Sequence, residues 1–319
     1  MKLLLRAVSG IVFIAALLTL HAQTTSVGPY RFQSNAWVNL HQRLLYEARF
    51  GPETPPAGLS QSEQLAWNMA VGEYRTFLGG RSPINDAELI RLNASLSQVK
   101  SSSLPDSVPE PASAVLQRAM PLYRVAQWTL DDRANRFWIQ VAEPMLASAG
   151  EELGDLMSKA YGAPWPKSIV VDVCSYAWEF GAYTVGEPDS AHVIIASIVP
   201  GNQGFAALEA LVHEPSHVIV DGNSGAIGAD INRAAAELHV KPRYNLWHAI
   251  LFYTAGELTR RALAERGVPD YKPVMLAMYQ RGFAGFRQPL ETYWQAFLEG
   301  KISRYAAIRQ IVNETSQPR

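Results

Sequence analysis

Apolar residues recur every three or four positions along most of this chain, the spacing of helices that bury one face. The pattern predicts helices over residues 34–50 (SNAWVNLHQRLLYEARF), 61–78 (QSEQLAWNMAVGEYRTFL) and 84–99 (INDAELIRLNASLSQV). Ser34 and Asn35 stand where the first of these needs a capping side chain. A serine- and proline-rich stretch, 101–113, reads as a surface loop or linker. Helical spacing resumes over 114–128 and 131–162. The texture then changes. SIVVDVCSYA (168–177), GAYTV (181–185) and AHVIIASIV (191–199) are rich in valine and isoleucine and separated by turn residues, which predicts a small sheet of three or more strands. Further helices are expected over 200–220, 229–239, 245–267 and 289–312, the third opened by Asn245 and closed by Gly267. Helices, then a sheet, then helices make an α+β fold, mostly helical, with a small mixed sheet ahead of the helix over 200–220.

Composition narrows the setting. The chain has 319 residues, 48% of them hydrophobic, with a formal net charge of -1. That is enough for one large core or two modest ones, and it offers no basic excess for nucleic acid. Lys2 and Arg6 precede an apolar run from Ala7 to about Leu20, followed by His21-Ala22-Gln23. This is the layout of a secretory signal peptide, and the run is shorter than the roughly 20 residues of a spanning helix. We therefore expect residues 1–22 to be removed, leaving no stable membrane span and a secreted or periplasmic protein. The remainder divides into an N-terminal helical region, 23–110, and a main domain, 111–319. Cys174 is the single cysteine, so no intrachain disulfide forms, and its apolar surroundings point to a buried thiol. Asn93-Ala-Ser and Asn313-Glu-Thr fit the glycan-acceptor pattern.

The chemistry concentrates in HEPSH, residues 213–217. On a helix, His213 and His217 lie about 40° apart on adjacent turns, so both imidazoles reach one ion. Glu214 starts about 100° away and is placed to take a proton from a metal-activated water rather than to bind the metal. Zinc suits imidazole nitrogen and acidifies water to a pKa of about 7. Pro215 removes a helical hydrogen bond and presses on the carbonyl of Leu211, so the helix either kinks and keeps the pair together or breaks and separates it. A catalytic zinc site wants a third protein ligand. Val220 and Asn223 occupy the positions where one class of such sites has a glycine and a third histidine, so a carboxylate from a later helix is expected. Glu257, acidic among apolar neighbours, is the choice; Glu237, His239 and Asp230 are rivals. His248 lies nine residues before Glu257, on the opposite face of the same helix, and is expected to cap, pack or touch substrate instead. Tyr253, Tyr271 and Tyr279 are candidate donors to a developing oxyanion, as is His248.

In these residues the chain resembles the zincin metallopeptidases, specifically the glutamate-liganded branch. The resemblance rests on His213, Glu214 and His217, the preceding sheet, and Glu257 on a following helix, over roughly residues 168–267. It implies a zinc ion held by His213, His217 and Glu257, with Glu214 as general base. It also implies that the strand before the motif, AHVIIASIV, holds an extended peptide by β-addition. Arg261 stands where the family often has an aspartate that orients the first histidine, which leaves Asp221 or Glu237 for that task. The aminopeptidase signature Gly-x-Met-Glu-Asn is absent. The expected function is a secreted zinc metallopeptidase acting on a peptide or protein substrate. The alternative is an exported, non-catalytic binding or scaffold protein on the same fold. A third reading is a helical surface-interaction module in which the pentapeptide is incidental.

Overall fold

Asn35 ends a short hairpin and starts the first helix, its side chain accepting from the amides of Trp37 and Val38. The hairpin is β1 (Thr25–Val27) and β2 (Tyr30–Gln33), and the helix is α1 (Ala36–Phe50). The computed structural model describes residues 25–106, 108–220 and 225–318. The signal-peptide expectation for residues 1–22 lies outside these. Helix α2 (Gln61–Leu78) opens with a capping box made by Ser60 and Glu63, and α3 (Ala87–Gln98) opens on the Asp86 carboxylate. After the proline-rich loop come α4 (Ala112–Tyr123), a wide π-type turn and the long α5 (Thr129–Tyr161).

The sheet follows. Strands β3 (Ser168–Cys174), β4 (Ala182–Glu187) and β5 (Ser190–Ala196) join the hairpin in the order β1-β2-β3-β5-β4. β2, β3 and β5 run parallel, while β1 and β4 are antiparallel edges. The fold is therefore α+β with a mixed five-stranded sheet. Parallel strands need cover on both faces, and the alternation of side chains supplies it. Phe32, Val171, Val193 and Ile195 point into a core shared with α5 and with α6 (Phe205–Ser216) and α8 (Leu246–Glu265). Cys174, Tyr183, Ile194 and Ala196 point into a second core built with α1 to α4. In that second layer the buried Asp172 accepts from Gln33 Nε2 at 2.8 Å and pairs with His192 Nε2 at 2.7 Å.

Several expectations are revised here. The boundary near residue 110 does not coincide with a division of the core, because α4 packs with α1 to α3 and the hairpin belongs to the sheet. AHVIIASIV is an interior strand, paired on both sides, so the open edge next to the motif helix is β4. Asn245 precedes α8 in a left-handed conformation (φ 64°) and makes no side-chain cap. The expected tail helix is interrupted after Leu298, and its last part is Arg304–Thr315. Asn93 is fully buried and accepts from Gln42, so it offers no glycan acceptor in the folded chain. Cys174 is buried, and burial pushes its thiol well up. Among the described residues no helix is long and apolar enough to cross a membrane.

Candidate metal centre

α6 and α8 pack antiparallel with a register that repeats every turn. His217 meets His248 with ring centroids 5.0 Å apart, and His213 meets Phe252 at 4.1 Å. One turn further on, Glu209 meets Gly256, where a methyl group would come within 3.2 Å of Glu209 Oε1. Each four-residue step along one helix is answered by a four-residue step back along the other, as i,i+4 faces require. On this face His217 thus falls opposite His248, His213 opposite Phe252 and Glu209 opposite a glycine.

Pro215 does not separate the histidines. α6 continues to Ser216, and His217 follows with helical φ/ψ of −60° and −28°. The carbonyl of Leu211, which Pro215 cannot serve, accepts from the Tyr30 hydroxyl at 2.9 Å. The terminal turn is closed by Ser216 Oγ donating to Val212 O at 2.7 Å and His217 N donating to Glu214 O at 3.0 Å.

The Nε2 atoms of His213 and His217 stand 3.3 Å apart. Two nitrogens bound tetrahedrally at 2.0–2.1 Å would be separated by about 3.3–3.4 Å. His248 brings a third nitrogen, and the three ligand atoms lie within 4.8 Å of one another. That span is wider than a tetrahedral edge. His248 Nε2 is buried with no hydrogen-bond partner, so no such bond opposes a swing of the ring. Burial, reinforced by its two histidine neighbours, holds His213 well below the usual range. Burial and His248 take His217 down to about 3, and burial takes His248 down to about 4. All three are neutral imidazoles near pH 7, the form that ligates metal. Trp247, Phe252 and Phe283 wall the cluster, with Trp247 stacked on His248 at 5.0 Å and 16°.

Glu214 projects from α6 toward the sheet. Its Oε2 accepts from Thr184 Oγ1 on β4 at 2.8 Å. Burial pushes its carboxyl up to about 7, against the Thr184 bond, which lowers it. Glu214 thus sits on the sheet side of the histidines and His248 on the α8 side.

Glu257 is elsewhere. Its carboxylate accepts from Arg260 at 2.8 and 2.9 Å, from Arg261 at 2.8 Å and from Gln295 at 3.3 Å. Burial pushes its pKa up, but the two guanidiniums outweigh that and hold it below the usual range. The expectation of Glu257 beside the histidine pair is corrected: His248 is the residue that stands with His213 and His217, and Glu257 lies on the opposite face of α8. The other candidates stand apart from the histidines as well. Tyr253 donates to Gln295 at 2.9 Å and Tyr271 to Glu209 at 2.6 Å. Tyr279 has its hydroxyl buried without a partner and its ring under Arg287. Asp230 pairs with Arg304 and Arg233, and Glu237 with Arg309. His239 sits in a left-handed turn (φ 55°). Asp221 lies outside the described residues, and His213 Nδ1 is buried with no partner among them.

Sequence reasoning did not place His248 with His213 and His217. The two rows, Glu209, His213 and His217 on one helix and His248, Phe252 and Gly256 on another, share a four-residue spacing in the sequence, but the register that sets one against the other does not show there. Thr184 carried no signal beyond its place in a strand. Comparison of the chain with family models, with curated proteins and with solved structures finds no match.

Proposed function

We propose that this chain is a zinc-dependent hydrolase of peptide bonds, exported to the periplasm or the medium, with the ion held by His213, His217 and His248. The observation that carries this reading is the 3.3 Å separation of His213 and His217 Nε2, with a third, half-buried imidazole beside them. Neutral, buried nitrogens without competing hydrogen bonds suit zinc. When bound, zinc supplies Lewis acidity and makes water acidic near neutral pH. Glu214, held at the sheet side, takes the proton of the attacking water as its oxygen bonds to the carbonyl carbon. The same carboxyl hands that proton to the amide nitrogen as the C–N bond breaks, giving a carboxylate and an amine. The open edge of β4 lies beside Glu214 and offers its free backbone groups to an extended substrate.

The test is metal content by mass spectrometry together with hydrolysis of a peptide library. The purified chain is expected to hold one zinc, His248→Ala to lose it and Glu257→Ala to keep it. Glu214→Gln is expected to keep zinc and lose most turnover. Zinc retained by His248→Ala but lost by Glu257→Ala would overturn the ligand set.

One observation favours a non-catalytic metal-binding protein instead. Among the described residues His213 Nδ1 meets no carboxylate or carbonyl of the kind that ordinarily orients a ligating imidazole. One zinc per chain with no peptide hydrolysis, unaltered by Glu214→Gln, would select that reading.

A further inference from the structure

Thr184 is the middle of a run, Ala182-Tyr183-Thr184-Val185-Gly186, on the open edge strand β4. It lies opposite Val193 of β5, whose side chain enters the core that α6 helps to build. Its same-face neighbours on β4 are therefore Ala182 and Gly186, neither with a polar side-chain group. A hydroxyl there has one use among the described residues, the 2.8 Å bond to Glu214 Oε2. Among the described residues no other hydrogen bond reaches that carboxylate. A β-branched side chain on a paired strand has restricted χ1, so the hydroxyl is a fixed donor rather than a searching one.

We propose that Thr184 is the positioning residue for Glu214: from the sheet edge it pins one carboxylate oxygen and so aims the other at the ground in front of the three histidines. This rests on the hydrolase reading above and deepens it. The edge strand then does two things at once. Its backbone lies where an extended substrate would pair, and its side chain fixes the group that moves the proton. Substrate register and base position are set by the same six residues, Ala182–Glu187. A carboxylate pinned at one oxygen keeps its reach, whereas a free glutamate side chain samples several rotamers and presents the reacting oxygen only part of the time.

The experiment uses the full chain loaded with zinc and compares Thr184→Val, Thr184→Ser, Thr184→Ala and Glu214→Gln on one substrate chosen from a peptide library. Thr184→Val is expected to keep one zinc per chain and an unchanged KM while kcat falls about ten-fold or more. Thr184→Ser, which keeps the hydroxyl, is expected to recover most of that loss, and a purely structural pin would not split kcat from KM in this way. Should Thr184→Val fail to fold, Thr184→Ala against Thr184→Ser gives the same comparison. Wild-type kcat in Thr184→Val, with Glu214→Gln inactive, overturns the positioning role and leaves the hydrolase reading standing. A zinc-loaded wild type without turnover, or a Glu214→Gln variant as fast as wild type, overturns both.

Discussion

The hydroxyl of Tyr30 donates to the carbonyl of Leu211 across 2.9 Å, and that carbonyl is the one Pro215 leaves without its helical donor. A residue of the second strand thus repairs a defect inside the motif helix. The repair lets a proline stand between two histidines that still converge, since buried carbonyls are costly when unpaired.

Tyr30→Phe removes the repair and nothing larger. It is expected to cost about 1–2 kcal/mol in urea unfolding. Pro215→Ala supplies Leu211 with a helical amide, so the same Tyr30→Phe change should cost less in that background. The double-mutant cycle is expected to show coupling of at least about 0.5 kcal/mol; strict additivity would mean that the tyrosine and the proline are unrelated.

Glu209 gives the chain a pH dependence of known sign. Burial pushes its carboxyl from the ordinary 4.5 up to about 7, against the hydrogen bonds from Tyr271 and the Val274 amide, which lower it. A carboxyl whose folded value is raised contributes stability that is full below pH 4.5 and is lost as pH climbs through 7. Unfolding midpoints should therefore decline across that window, on the order of 3 kcal/mol for this group alone. In Glu209→Gln that component of the decline should vanish. An identical slope in the variant would assign the dependence to other groups.

Gly256 faces Glu209 at the third rung of the α6–α8 register. A methyl group there would lie 2.7 Å from Pro273 Cβ and 3.2 Å from Glu209 Oε1. Alanine gains about 1 kcal/mol of helix propensity, and overpacking of this kind costs about 1–3 kcal/mol. Gly256→Ala is expected to lower the melting temperature and to weaken zinc binding together, because the same register seats His248 against His217. A raised melting temperature would show that Pro273 and Glu209 yield freely.

Much of the fold was legible because long helices declare themselves by period. The cap at Asn35 is local chemistry, visible in the letters alone. The hairpin before α1 was not legible: strands of three and four residues are too short for alternation to show. At the centre, His213, Glu214 and His217 were readable because one helix turn fixes their relation. His248 was not, since its place depends on how far α8 slides along α6, and that is decided by packing. Glu257 looked available as an acid among apolar residues. Arg260 and Arg261, three and four positions later, were in view and are the groups that claim it.

The parallel pairing of β2 with β3 closes a very long excursion, from Gln33 to Ser168, through all of α1 to α5. A ribosome delivers the N-terminal strand first and the histidine-bearing helices far later. The strand that carries Tyr30 therefore waits, unpaired along that side, until most of the polypeptide has been made. Closing so distant a contact is slow, and a half-made chain exposes a bare strand meanwhile. The bond from Tyr30 to Leu211, which ties that strand to the motif helix, spans the same delay.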